Sequence, residues 1–217
     1  MAKAPIPGQV KTRLMPALTA QQAAAFYGAM LQDTIANCSR RAPAWTLHAA
    51  VAPAPPQPGL RFPAAWHVFP QGRGHLGVRL QAAFQRIMQG GAARVIAVGV
   101  DSPTLPEMFV SRAFDALARA DVVLGPTEDG GCYAIGLRTA PRAWLRGVPW
   151  STADVCHALA ARARRLGWSI RYLPRWYDID TIEDMARHRV ELRRTRRAPR
   201  TRAWFRRYAS VAGASVV

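Results

Sequence analysis

The sequence predicts an α/β protein, a single domain with a mainly parallel sheet flanked by helices. Three observations lead there. Short apolar runs of strand character alternate along the chain with amphipathic segments of helical period. The runs RVIAVG (94–99) and DVVL (121–124) are continuous rather than alternating, which indicates strands buried on both faces. Half of the 217 residues are hydrophobic, enough to bury one core.

The elements follow in order. A loop from Ala2 to Pro16 leads into an alanine-rich helix from Ala20 to Arg41, opened by Thr19 and Gln22 as a capping box. Trp45 to Val51 and Trp66 to Phe69 read as strands, separated by the proline-rich run from Pro53 to Pro58. Leu76 to Met88 is an amphipathic helix, and Arg94 to Gly99 is expected to be the most buried strand. A helix over Glu107 to Arg119, then strands over Asp121 to Leu124 and Cys132 to Leu137, continue the alternation. The last elements are a helix from Thr152 to Leu166, a strand from Ser169 to Leu173 and a closing helix from Thr181 to Leu192. In open sheets of this type ligands bind beyond the carboxyl ends of the strands, so the polar segments after strands are where chemistry is expected.

Composition narrows the classes. No apolar stretch is long enough for a membrane span, and the first residues lack the apolar run of a signal peptide. Cys38, Cys132 and Cys156 have no metal-ligand spacing, and free thiols fit a cytoplasmic protein. The formal charge of +17 is concentrated at the C-terminal end, where eight arginines lie between Arg193 and Arg207. We expect residues 1–192 to form the domain and 193–217 a solvated basic tail, with weak contact to anionic lipid or nucleic acid as its alternative use. Only Lys3 and Lys11 of the thirty basic residues are lysines, and both fall in the first loop. A site that needs a compact ammonium explains that pattern.

Four segments carry chemistry. Lys3, Lys11 and Arg13 would surround a diphosphate in a proline-stiffened loop, where Gly8 lets backbone approach a ligand; an ordinary basic N-terminus is the plainer alternative. Asp101 follows a strand, where a carboxylate can hold a divalent cation against phosphate oxygens or simply shape the turn before Pro103. In Gly125 to Tyr133, Gly130 and Gly131 permit close approach, and Glu128 or Asp129 offers a base; Asp-Gly is also ordinary hairpin chemistry. Asp178 and Asp180 share a face if extended, whereas Glu183 and Asp184 belong to the start of the helix that Thr181 caps. The glycines at 72, 74 and 77, with Arg79, suit a loop opening onto the helix that follows, where Arg79 could lie near a nucleotide.

KAPIPGQVKTRL, GHLGVRLQAAF, VGVDSPTLP, VLGPTEDGGCYAIGL, WST at 150–152 and DIDTIEDM, in this order, resemble a bacterial glycosyltransferase-like family. That family lies within the nucleotide-diphospho-sugar transferase superfamily, and the likeness spans Ala2 to Arg189. A more distant likeness, through KTRL, the Asp-x-Pro turn and DIDT, is to the phospholactate guanylyltransferases. The resemblance implies a glycosyltransferase-A type fold with Lys3, Gly8, Lys11 and Arg13 at the phosphates. Asp101 would be a metal ligand, with Asp180 or Asp178 completing a Mg²⁺ or Mn²⁺ site. Gly130, Gly131 and Tyr133 would line the acceptor side. Relatives begin with an apolar strand before the Lys-x-Pro loop, so this sheet is expected either to lack its first strand or to need residues upstream of Met1.

The leading expectation is glycosyl transfer from a nucleotide-diphospho-sugar to a small or lipid-like acceptor, with Asp101 and Lys11 at the leaving diphosphate and Asp129 as base. Nucleotidyl transfer to a phosphorylated small molecule, releasing pyrophosphate, uses the same residue types. A non-catalytic module that binds RNA or membrane through the basic end is the third alternative.

Overall fold

A computed structural model describes residues 1–40, 44–54, 60–139 and 143–208. The expected end of the first helix at Arg41, most of the proline-rich run and the last nine residues lie outside the described set. In chain order the elements are β1 (Ala2–Lys3), a 3₁₀ turn (Thr12–Leu14), α1 (Ala20–Ser39), β2 (Leu47–Ala52), β3 (Trp66–Pro70), α2 (Leu76–Gln89) and β4 (Val95–Val98). They continue with α3 (Glu107–Ala116), β5 (Val122–Pro126), β6 (Cys132–Leu137), α4 (Val155–Arg165), β7 (Ile170–Tyr172), α5 (Ile182–Arg187), α6 (Arg189–Arg194) and α7 (Pro199–Arg207). Among the described residues no helix is long and apolar enough to cross a membrane.

The residues divide into two compact units. One holds Met1, Pro70–Gly99 and Pro106–Tyr177. Its sheet has the order β4-β6-β5-β7, with β6 antiparallel to both neighbours and β5 parallel to β7. Strand direction is therefore more mixed than the apolar runs suggested. The reason is local: Thr127–Gly131 is short enough to turn the chain straight back, and Thr127 N–H bonds the Gly131 carbonyl at 3.0 Å. Val122, Val123 and Leu124 are fully buried, because β5 has a partner on each side and helices cover it. The expectation that β4 is the most buried strand is corrected: only Val95 is buried, since β4 stands at the edge of this four-stranded sheet. Phe84 of α2, Ile135 and Leu137 of β6, and Leu159 of α4 complete the core with Trp144 and Leu145.

The other unit holds Ala2–Phe69, Val100–Leu105 and the chain from Asp178 onward. The first strand is present, though only two residues long. It pairs parallel with β2 through Ala2↔Val51 and Lys3↔Ala52, and Ala4 N–H extends the ladder to the Ala52 carbonyl at 2.8 Å. Helix α1 starts at the capping box read from the sequence: Thr19 Oγ1 accepts from Gln22 N–H at 3.2 Å, and Gln22 Oε1 accepts from Thr19 N–H at 2.8 Å. The closing helix splits at His188 into α5 and α6.

The expected solvated tail is folded as far as Tyr208. Helix α7 turns Trp204 and Phe205 inward against Phe26 of α1, with ring centroids 4.8 and 5.7 Å away, while Arg200, Arg206 and Arg207 stay exposed. Trp204 and Phe205 are thus core residues and are not free to stack on RNA or enter lipid. Burying two large aromatics contributes several kcal/mol, which outweighs what an arginine-rich helix gains by staying free.

Candidate active site

The first loop is anchored by its apolar residues. Ala4, Val10 and Leu14 are buried, so the polar residues between them are held in place rather than trailing. Lys11 adopts a left-handed conformation, φ 49 and ψ 40, just before the 3₁₀ turn. For a lysine this costs on the order of 1 kcal/mol or more, and such strain persists only where surrounding contacts fix it. Here the side chain supplies them. The ammonium lies 2.6 Å from Asp101 Oδ1, 2.5 Å from Asp180 Oδ1 and 2.5 Å from the Ile179 carbonyl, and the side chain is 4% exposed. Three donors meet three acceptors.

Each acceptor is positioned by its own segment. Asp101 follows β4 in the chain, and its carbonyl accepts the Ile179 N–H at 3.0 Å. Ile179 is fully buried, which pins the Asp178–Asp180 segment beside Asp101. Asp180 is fixed from the other end by the α5 cap: Asp184 Oδ2 accepts from the Asp180 N–H at 3.1 Å and from the Thr181 N–H at 2.9 Å. Asp184 thus has the structural role its position suggested, and through it the helix start sets the carboxylate.

Electrostatics explain why the trio holds. Burial alone pulls the Lys11 pKa down, but Asp101 and Asp180 outweigh it and keep the ammonium above its ordinary 10.5. Two carboxylates at ~4 Å in an effective dielectric of ~20 repel by about 4 kcal/mol, and the ammonium between them removes that penalty. Tyr27, nearly buried, accepts the Lys3 N–H at 2.8 Å, and burial pushes its phenol pKa well up, so it stays neutral.

The structure therefore brings together Lys11, Asp101 and Asp180. Asp178 does not join Asp101 and Asp180 as a third carboxylate: among the described residues no cluster of three or more acidic, histidine or cysteine side chains could hold a metal. The set of two carboxylates still fits Mg²⁺, which is commonly held by one or two carboxylates together with substrate phosphates. Lys3 at the end of β1 and Arg13 in the 3₁₀ turn are exposed, and Gly8 has φ +78 with open space where a side chain would sit. The Ile179 carbonyl was not foreseen, since a backbone acceptor leaves no mark in a sequence.

In the other unit, Asp129 Oδ1 accepts from Thr127 Oγ1 at 2.5 Å and from the Gly131 N–H at 3.0 Å. Its carboxylate shapes the hairpin and is exposed. Tyr133 is 3% exposed and donates its hydroxyl to the Pro174 carbonyl at 2.9 Å, so it packs inward instead of presenting an acceptor contact. Arg79 is half-buried and its guanidinium bonds Gln71 Oε1 at 2.6 Å. Gly130 has φ +87, and a Cβ there would lie 2.0 Å from the Ala153 carbonyl. Gly130→Ala is expected to lower stability by about 2 kcal/mol in urea unfolding; a variant as stable as the native chain would show that the loop is not held against Ala153.

The family described as "Uncharacterized protein conserved in bacteria (DUF2064)" matches residues 34–152, more than half of the chain. No curated protein matches it. Among solved structures, the chain is similar to a "putative nucleotide-diphospho-sugar transferase" from Desulfovibrio desulfuricans G20. The two share 29% identity at a TM-score of 0.84, over 97% of this chain and 93% of that one. The fold is that of the nucleotide-diphospho-sugar transferase superfamily.

Proposed function

The chain belongs to the DUF2064 family, and on that premise we propose that it is a metal-dependent transferase moving a glycosyl group from a nucleotide-diphospho-sugar to a small or lipid-like acceptor. One observation carries the reading: the Lys11 side chain is buried with its ammonium between Asp101 and Asp180. A buried cation flanked by two half-exposed carboxylates is suited to an anionic diphosphate that arrives with a divalent ion. The similarity to a nucleotide-diphospho-sugar transferase supports the class of donor.

In this reading Asp101 and Asp180 would hold Mg²⁺ or Mn²⁺. A divalent ion held there would supply neutralisation of the charge that develops on a departing diphosphate. The chain's own residues supply the rest. Lys3 and Arg13 would bind phosphate oxygens from the same loop, with Lys11 beside them. Gly8 keeps that loop free of a side chain where backbone faces the ligand. The α5 cap and buried Ile179 hold Asp180 and Asp101 in place before ligand arrives, so little reorganisation is needed.

The test is a thermal-shift series with nucleotides and nucleotide sugars, each with and without Mg²⁺ or Mn²⁺. A ligand specific for the native state stabilises it by about 2.7 kcal/mol at a hundredfold excess over its Kd. A shift that needs both nucleotide sugar and metal is the expected result. Absence of any shift from a folded sample would defeat the proposal. The product then separates the reactions: a nucleoside diphosphate marks glycosyl transfer, and pyrophosphate marks nucleotidyl transfer.

A further inference from the structure

Lys11 has a feature that phosphate binding alone does not explain. A lysine waiting for a phosphate needs only to be near it and wet, as Lys3 and Arg13 are. Lys11 instead has all three donors engaged and almost no exposure. Its backbone is held in a left-handed turn that a lysine adopts only under constraint. The residue type matters too. The chain writes all its other cations as arginine apart from Lys3. An arginine's planar fork fixes its donor directions, whereas a compact ammonium with three rotatable donors fits between one oxygen of each of two carboxylates.

We propose that Lys11 is a tethered counter-ion that occupies the Asp101–Asp180 pair in place of a divalent metal and yields it only when an anionic ligand draws the ammonium away. This rests on the reading that those carboxylates are the metal ligands. The lysine's four-carbon stem allows the ammonium to leave while the backbone stays anchored by Val10 and Leu14. Metal and diphosphate then bind cooperatively. Metal alone must displace a cation already in place, while diphosphate supplies the ammonium with a new partner and frees both carboxylates. Coupling of this kind is reciprocal, so metal must favour diphosphate as much as diphosphate favours metal. The device keeps the site neutral and ordered between turnovers and discourages binding of free metal.

The experiment is Mn²⁺ binding to the full chain, read from the electron paramagnetic resonance signal of free Mn²⁺ without any nucleotide. The native chain is compared with Lys11→Met, with Lys11→Gln, whose amide still donates hydrogen bonds if the Met variant folds poorly, and with Lys11→Gln combined with Asp101→Asn. The neutral variants are expected to bind Mn²⁺ at least about tenfold more tightly than the native chain, within the usual 5- to 150-fold range of such couplings. The double variant is expected to lose that gain. Equal or weaker binding by the neutral variants would overturn the counter-ion role while leaving the metal reading standing. No binding by any variant would overturn both.

Discussion

Asp101→Ala is expected to lower turnover of a nucleotide-sugar donor at least about a hundredfold, the usual scale for losing one group that stabilises developing charge. The fold should survive. Lys11 keeps Asp180 and the Ile179 carbonyl as acceptors, and the Asp101 side chain is 40% exposed, so water can replace it. The Ile179 N–H keeps its bond because it goes to the Asp101 backbone, which substitution leaves in place. A stability loss of about 1 kcal/mol is therefore the ceiling expected for a partly solvated partner. The measurement pairs nucleoside diphosphate release with the thermal midpoint of the same sample. Retention of more than about a tenth of native turnover in a folded variant would remove Asp101 from the reaction.

The largest structural effect is expected from a residue that takes no part in chemistry. Asp33 lies in the middle of α1 and is fully buried. Its carboxylate accepts the Arg200 N–H at 3.1 Å and the Thr201 N–H at 2.8 Å, with the Arg200 guanidinium 3.9 Å away. Helix α7 begins with Pro199 and has no side-chain cap of its own. Asp33 caps it from another helix, placing a negative charge at the positive end of the α7 dipole. Asp33→Ala strands two N–H groups and is expected to cost about 3–5 kcal/mol, as when a buried charge-assisted contact loses one partner. Asp33→Asn, which keeps an accepting oxygen, should cost less. Urea unfolding checks both, and a loss below about 1 kcal/mol for the alanine variant would mean that Trp204 and Phe205 alone hold α7.

Much of the local structure was legible because its causes are local. Thr19 with Gln22, and Thr181 ahead of Asp184, announced two helix starts within four residues of chain. The loop glycines and the Asp-Gly turn announced the β5–β6 hairpin. Less legible was what depends on neighbours distant in sequence. The continuous apolar run of β4 looked like a central strand, but its edge position leaves three of four residues only partly buried. The arginine-rich end read as solvated because charge dominates its composition, while the aromatic stripe that docks it is carried by only two residues.

The candidate site divides the same way. By itself the sequence determined which residues were worth watching: a rare lysine in a stiff loop, a carboxylate after a strand, and paired aspartates before a helix cap. Those choices follow from residue chemistry and spacing within single segments. The tertiary structure alone decided that Lys11 meets Asp180 across 169 positions of chain, with Asp101 beside it, and that Asp178 does not join them as a third carboxylate. The physical reason is that ion pairing depends on distances of a few ångströms. The packing of Val10, Leu14 and Ile179, with the cap of α5, sets those distances, and no spacing along the chain encodes them.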